Sequence, residues 1–343
     1  MNILQRLTSF KEAGIIFWIL LVGIGCSLLS EHFLSADNMI NILSQSAVVG
    51  ILAIGMTMVI ITGGGGIDLS AGSILGISSV VMAMTIIPPE LYRDTAAMLV
   101  LPNDFLTIAK ALAFCFGVGM FCGLLNGLMI TWAKLPPFIA TLSMMTAARG
   151  LAAYVSAGIP TYGMPTSLVY LGQGYIWFIP VPVVIMVALG IVVHIALTRT
   201  TFGITLFAVG GNRETARFSG MNVNKTLISV YVLCGLFAAI AGVVLSARGN
   251  QVHPDAGTGY ELSAIGAAVI GGTSMLGGSG GIPGALLGAI FMAEVQNAIN
   301  ILNIPVAYMK PILGGLIVMA VLLDQWQKKR GIGSRKESLA KSL

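Results

Sequence analysis

The sequence predicts an all-α integral membrane protein with about ten transmembrane helices and both termini in the cytoplasm. Three observations carry this. Only 9% of the 343 residues are charged and 56% are hydrophobic, and the mean hydropathy is +0.93. Soluble domains are about a quarter charged, and so few charges cannot cover a surface in water. Apolar runs fall at roughly 14–30, 42–62, 70–87, 108–132, 137–157, 176–198, 226–247, 260–276, 283–303 and 307–323, most of them near the ~20 residues that cross the hydrocarbon. Alternating these runs from an internal N-terminus places Arg6, Lys11, Lys134, Arg199, Arg213, Arg217, Lys225, Lys328, Lys329, Arg330, Arg335, Lys336 and Lys341 inside. Only Arg93, Arg248 and Lys310 fall outside, with Lys110 and Arg149 in or near spans. Cationic loops stay on the cytoplasmic side, so the bias favours an even number of spans.

The elements follow in order. Arg6 and Lys11 precede the first run as in a signal peptide, but Gly23 stands before Cys26 where a lipoprotein signal wants a leucine-like residue, and no small-residue cleavage site follows. The expectation is an uncleaved first helix. Residues 1–13 then form a cytoplasmic N-terminus, 14–324 the transmembrane domain and 325–343 a cytoplasmic tail. The net charge of +5 does not point to nucleic acid, because the cations cap apolar runs and form no basic face. Cys26, Cys115, Cys122 and Cys234 all sit in apolar runs and read as small buried hydrophobes. His32, His194 and His253 are scattered without metal-ligand spacing, and no metal or cofactor is expected.

"ITGGGGIDLSAGS" (61–73) joins the second and third runs. Its glycines free the backbone, and Asp68 and Ser70 are suited to capping the next helix. At membrane depth such backbone survives only where it is buried in protein or lines water, and broken helices are where transporters bind polar solutes. The other reading is a tight turn at the cytoplasmic interface. The stretch is no phosphate loop, since GxxxxGK[ST] does not occur in the chain. "GGSGGIPGALLGA" (277–289) resembles 63–76 and raises the question of a repeat. Residues 88–107 and 158–175 read as outer loops. "AKLPPFIATLSMMTAARGLA" (133–152) opens a helix with Pro136 and Pro137 and offers small residues for close helix contact.

Arg149 and Glu294 are ionisable residues inside apolar runs, where they need partners. Glu294, Asn297 and Asn300 recur at helical spacing and form a polar stripe, suited either to a pore wall or to holding helices together. The internal loop 199–225 carries "AVGGNRETARFSGMNVNK" (208–225). "NRETARFSG" reads as a short amphipathic helix with Asn212 as N-cap, Glu214 in the first turn, Phe218 as an exposed anchor and Gly220 as terminator, shaped to dock in a partner's groove.

These stretches, with "LAIGMTMVIITGGGGIDLSAGS" (52–73), "AGTGYELSAIGAAVIGGTSMLGG" (256–278) and "GALLGAIFMAEVQNAINIL" (284–302), resemble permease subunits of bacterial ABC importers for monosaccharides, the ribose-type sugar permease family. The resemblance runs from about Asn41 to Asp324. It implies a fold similar to the vitamin B12 importer permease, in the bacterial inner membrane. It implies a pore for a pentose or hexose, powered by a separate twin-cassette ATPase, with a periplasmic sugar-binding protein and a second permease copy or related chain as partners. The chain itself would be no enzyme. Residues 211–220 resemble the coupling helix, which gives Gly211, Asn212, Glu214, Ala216, Arg217, Ser219 and Gly220 to ATPase contact. Asp68, Asn126, Glu294 and Asn297 are the expected polar contacts of the translocation pathway. Two departures stand out: more glycines than usual precede Ile67-Asp68, and the loop 88–107 is longer than in typical members. An ion-coupled secondary transporter of a small polar solute is the alternative. It would need coupling acids on facing spans. A membrane-embedded enzyme would need a nucleophile–base pair or paired carboxylates, and none stands out.

Overall fold

The computed structural model describes residues 12–87, 104–309, 311–316, 318–319 and 321–322. The N-terminal 1–11, most of the expected outer loop and the tail 325–343 lie outside the described residues. The described chain is predominantly helical: α1 Ala13–Leu29, α2 Ala36–Ile61, α3 Ala71–Ile86, α4 Phe105–Thr131, α5 Pro137–Val155, α6 Thr166–Gln173, α7 Val181–Arg199, α8 Thr201–Gly211, α9 Arg213–Phe218, α10 Val223–Gly249, α11 Tyr260–Ile270 and α12 Ile282–Ile301. A single 3₁₀ turn, Val306–Tyr308, follows. Two short antiparallel pairs tie loops together. β1 Thr161–Tyr162 pairs with β4 Gln251–Val252, and β2 Tyr175–Ile176 with β3 Ile179–Pro180.

Among the described residues, six helices are long and apolar enough to cross a membrane: α2, α4, α5, α7, α10 and α12. Four more are apolar but shorter: α1, α3, α8 and α11. The tenth run is described only in pieces. The regular alternation expected from the apolar runs is therefore modified at two crossings. α3 and α11 have only 16 and 11 residues, and glycine-rich turns with left-handed glycines precede them. The expected loop 199–225 is mostly helical. α8 is apolar and packs Gly203, Leu206 and Val209 inward, and α9 follows after one residue.

α2 is the centre. Every residue from Ser46 to Ile61 is buried, which a helix apolar on all sides requires. It packs against α7, α10, α11 and α12, while α10 also holds α3, α4 and α6. The α4–α10 seam is built by small residues. Gly119 and Gly235 lie backbone to backbone, Gly123 packs on Tyr231 and Gly127 on Ile228. No apolar driving force brings helices together in lipid, so such close approach supplies the contact energy. α5 touches the bundle through one narrow stripe, Ala140, Thr141, Met144, Ala148 and Ala152, and leaves most of its circumference open. The β2–β3 hairpin carries exposed Trp177 and Phe178 just before α7, and such aromatic rings favour the bilayer interface.

Candidate functional site

α9 is fixed locally by its caps. The Asn212 side-chain oxygen accepts from Thr215 N at 3.0 Å. At the other end Ser219 Oγ donates to Thr215 O at 2.9 Å, Gly220 takes φ +80°, and Met221 N returns to Ala216 O at 3.0 Å. A left-handed residue at this position favours glycine. Ala216 is buried with Val209, Val223 and Leu227. The opposite side presents Glu214, Arg217 and Ser219, with Phe218 88% exposed. The expected surface residues therefore share one exposed face, while Ala216 anchors the helix from behind. Gly211 is exposed, and a Cβ added to it would meet nothing within 4 Å, although its backbone lies beside Gly278.

Arg213, outside the expected set, connects α9 to the end of α2. Its Nη2 donates to Gly63 O at 2.9 Å, and its guanidinium lies flat against Gly64, where a Cβ would sit 2.7 Å from it. Gly63 has φ +65°. There three segments meet backbone to backbone: the end of α2, the end of α8 at Gly210, and the turn at Gly277, whose neighbour Gly278 donates from N to Ile61 O at 2.9 Å. The two glycine clusters that look alike in sequence thus touch one another. α9 is tied through Arg213 to the segment that precedes α3, and that segment meets the turn before α12.

Asp68 and Asn126 come together. Asp68 Oδ1 accepts from Ser70 N at 2.9 Å and from Ser70 Oγ, and Asn126 Nδ2 donates to Ser70 Oγ at 2.8 Å. Thr141 Oγ1 reaches Ile67 O at 3.4 Å. Asp68, Ser70 and Asn126 are all fully buried. The expected capping differs: Ser70 is the N-cap of α3, but its hydroxyl is engaged by Asp68 and Asn126 and does not cap. This cluster bolts the extended segment 64–70 to α4.

Glu294 and Asn297 lie elsewhere, on α12 against α1 and α2. Asn297 and Asn38 exchange two amide hydrogen bonds, at 2.8 and 3.0 Å, and Gln45 Nε2 donates to Gln296 Oε1 at 2.9 Å. Glu294 is buried with Oε1 against Gly23, where a Cβ would sit 3.1 Å away.

A second interrupted crossing escaped the sequence reading. From Gln251 the chain runs irregularly to α11, with Gly257 and Gly259 at φ +77° and +85°. Gly257 packs on Gly72 so closely that neither admits a Cβ. Arg149 pins this segment: its Nη1 donates to Pro254 O at 3.2 Å and Ala256 O at 2.8 Å. Glu261 Oε1 accepts from Gly259 N at 3.2 Å, while its buried Oε2 has no partner. α3 and α11 start side by side and run to opposite faces, because α11 leads toward the Gly277–Ile61 junction and α3 away from it. The signal was present in the sequence: Asp68-Leu69-Ser70-Ala71 enters α3, and Glu261-Leu262-Ser263-Ala264 enters α11.

Residues 38–322 match the family described as the permease component of branched-chain amino acid transport systems. The ribose import permease protein RbsC of Bacillus subtilis is 38% identical over 326 residues, covering 94% of both chains. RbsC of Escherichia coli K12 is 37% identical, covering 92% of this chain and 93% of its own. The D-allose transport system permease protein AlsC of the same organism is 34% identical, covering 89% of both. No solved structure matches the chain. Broken crossings, a capped exposed helix between membrane helices and this extent of identity lead to one assignment: the chain belongs to the transport-system permease family, in its ribose-type group of bacterial sugar-importer permeases.

Proposed function

We propose that this chain is the membrane-spanning subunit of an ATP-binding-cassette importer in the bacterial inner membrane, passing a monosaccharide of ribose-like size into the cytoplasm. A separate twin-cassette ATPase powers it, a periplasmic binding protein delivers the sugar, and a second permease chain completes the pathway. One observation carries the reading. α9 offers an exposed Phe218 beside Glu214 and Arg217 while Arg213 ties the same helix to Gly63. Closure of an ATPase around α9 therefore pulls on the hinge before α3. The sugar permeases of B. subtilis and E. coli named above support the substrate class.

Within this reading the polar residues divide by role. Asp68 and Asn126 brace the hinge segment against α4. The amide pairs of Asn297 and Gln296 support a packing role for these two residues, since they are spent on α2, whereas Glu294 keeps a buried Oε2 without a hydrogen-bond partner.

The test is Glu214→Ala. The expected result is a permease that still reaches the membrane while sugar-stimulated ATP hydrolysis and uptake both fall. Unchanged uptake and stimulated hydrolysis in reconstituted vesicles would place the coupling surface elsewhere.

A further inference from the structure

The geometry points to a sugar-binding site of the permease itself, in the cavity along the interrupted segment 251–260, and we propose that it holds a neutral polyhydroxylated solute during transfer. The inference rests on the importer reading above and names the place in the chain where its substrate is met.

Depth comes first. Gly257 packs on Gly72, which lies fourteen residues before the end of α3 at Ile86. At 1.5 Å per residue that is about 20 Å below the helix end, in a hydrocarbon core about 30 Å thick. The segment nevertheless keeps Asp255 and Thr258 exposed. Irregular backbone with exposed polar side chains does not face lipid at such depth; it lines water or is covered by protein.

A cavity is present there. It measures about 520 Å³ and is lined by Gln251, His253, Asp255, Thr258, Arg248 and Tyr260 among others. Small-molecule sites run from roughly 300 to 1,000 Å³. It opens at the end of α10 opposite to α9, so it is reached from the side away from the coupling surface. The chemistry suits hydroxyls. Asp255 supplies acceptors and Gln251 both donors and acceptors, while Tyr260 adds a ring face for the C–H side of a sugar. A cationic or anionic solute fits less well, since Arg248 and Asp255 stand on the same wall.

Position gives the site its use. The segment is the entrance to α11, the mirror of the Asp68 segment that enters α3, and the two meet at Gly72 and Gly257. Polar solutes bind where such half-helices of opposite direction meet. In this conformation the Asp68 side is sealed, every atom of that residue being covered, while the 251–260 side is open.

The experiment is cysteine accessibility in right-side-out native membrane vesicles. Asp255→Cys, Thr258→Cys and, as a control outside the cavity, Trp177→Cys are labelled with a membrane-impermeant thiol reagent, with and without D-ribose, D-xylose or D-allose. Both cavity positions are expected to react. Mass action gives about tenfold slower labelling when a bound sugar is at roughly ten times its dissociation constant, and Trp177→Cys is expected to show no protection. If the cavity positions do not react, they face lipid or protein and the proposal is wrong. If they react without protection in vesicles that show ATP-dependent uptake of one of the sugars, the cavity is only a water-filled mouth and the site is overturned while the importer reading stands. If wild-type vesicles with ATP inside and the periplasmic fraction added back take up none of the sugars, the importer reading itself falls and the site with it.

Discussion

Arg149→Ala is expected to lower both the thermal stability of the detergent-solubilised permease and its sugar uptake. Arg149 sits in the apolar helix α5, yet its Nη1 satisfies Pro254 O and Ala256 O at 3.2 and 2.8 Å, with the carboxyl groups of Glu261 and Asp255 near enough to act on it electrostatically. Removing it leaves two carbonyls of an irregular segment without donors, at about 1–3 kcal/mol for each group that stays buried. Arg149 is only half-buried, so water recovers part of this. A net loss of about 2 kcal/mol in the state poised for transfer corresponds to a roughly thirtyfold fall in rate. Arg149→Lys keeps a donor on a shorter, non-planar head and should fall between the two. The check is a melting curve beside an initial-rate uptake assay. Wild-type values for the alanine variant would show that the segment 250–259 is held by something else.

Gly210→Val is expected to separate ATP hydrolysis from transport. A Cβ at Gly210 would fall on the Ile61 carbonyl and lie 2.6 Å from Gly278 N, so the α2–α8–271–281 junction has no room for it. Overpacking of this kind costs about 1–3 kcal/mol and moves backbone. The exposed face of α9 is untouched, so an ATPase still binds. What is lost is the rigid connection from α9 through Arg213 and Gly63 to the hinge before α3. The measured quantity is sugar moved per ATP hydrolysed, which should drop sharply. Gly117→Ala, on α4 and with nothing within 4 Å of its Cβ, serves as the control that should stay near wild type. A normal ratio for Gly210→Val would mean that the motion takes another route.

Much of this architecture was legible in the residues, and the limits have physical causes. The caps of α9 were readable because Asn212 and Gly220 act locally, two or three residues from their partners. The irregular segment at 61–73 was readable from its run of glycines, which left a broken helix and a tight interfacial turn equally open. The one at 250–259 was not, because its glycines are interspersed among Pro254, Asp255 and Thr258 and look like an ordinary outer loop. Its depth follows only from Gly72 in another helix. Arg213 was overlooked for the same reason, since its partner Gly63 is 150 positions away. The polar stripe on α12 showed in the spacing, but its partners did not, because Asn38 and Gln45, which bond Asn297 and Gln296, lie more than 250 positions away on α2. The helical character of 201–211 was masked because the run is too short to cross a bilayer and was read as loop.

The most direct test of the central reading is recovery of the tagged permease from detergent-solubilised native membranes, with mass spectrometry of what accompanies it. The account predicts a cytosolic twin-cassette ATPase in the wild-type eluate. It predicts that this ATPase disappears when residues 212–220 are replaced by a Gly/Ser linker, although the variant remains in the membrane. Failure to recover any ATPase under crosslinking, together with uptake of sugar by the reconstituted permease down an ion gradient alone, would contradict it and make the chain a self-sufficient secondary transporter.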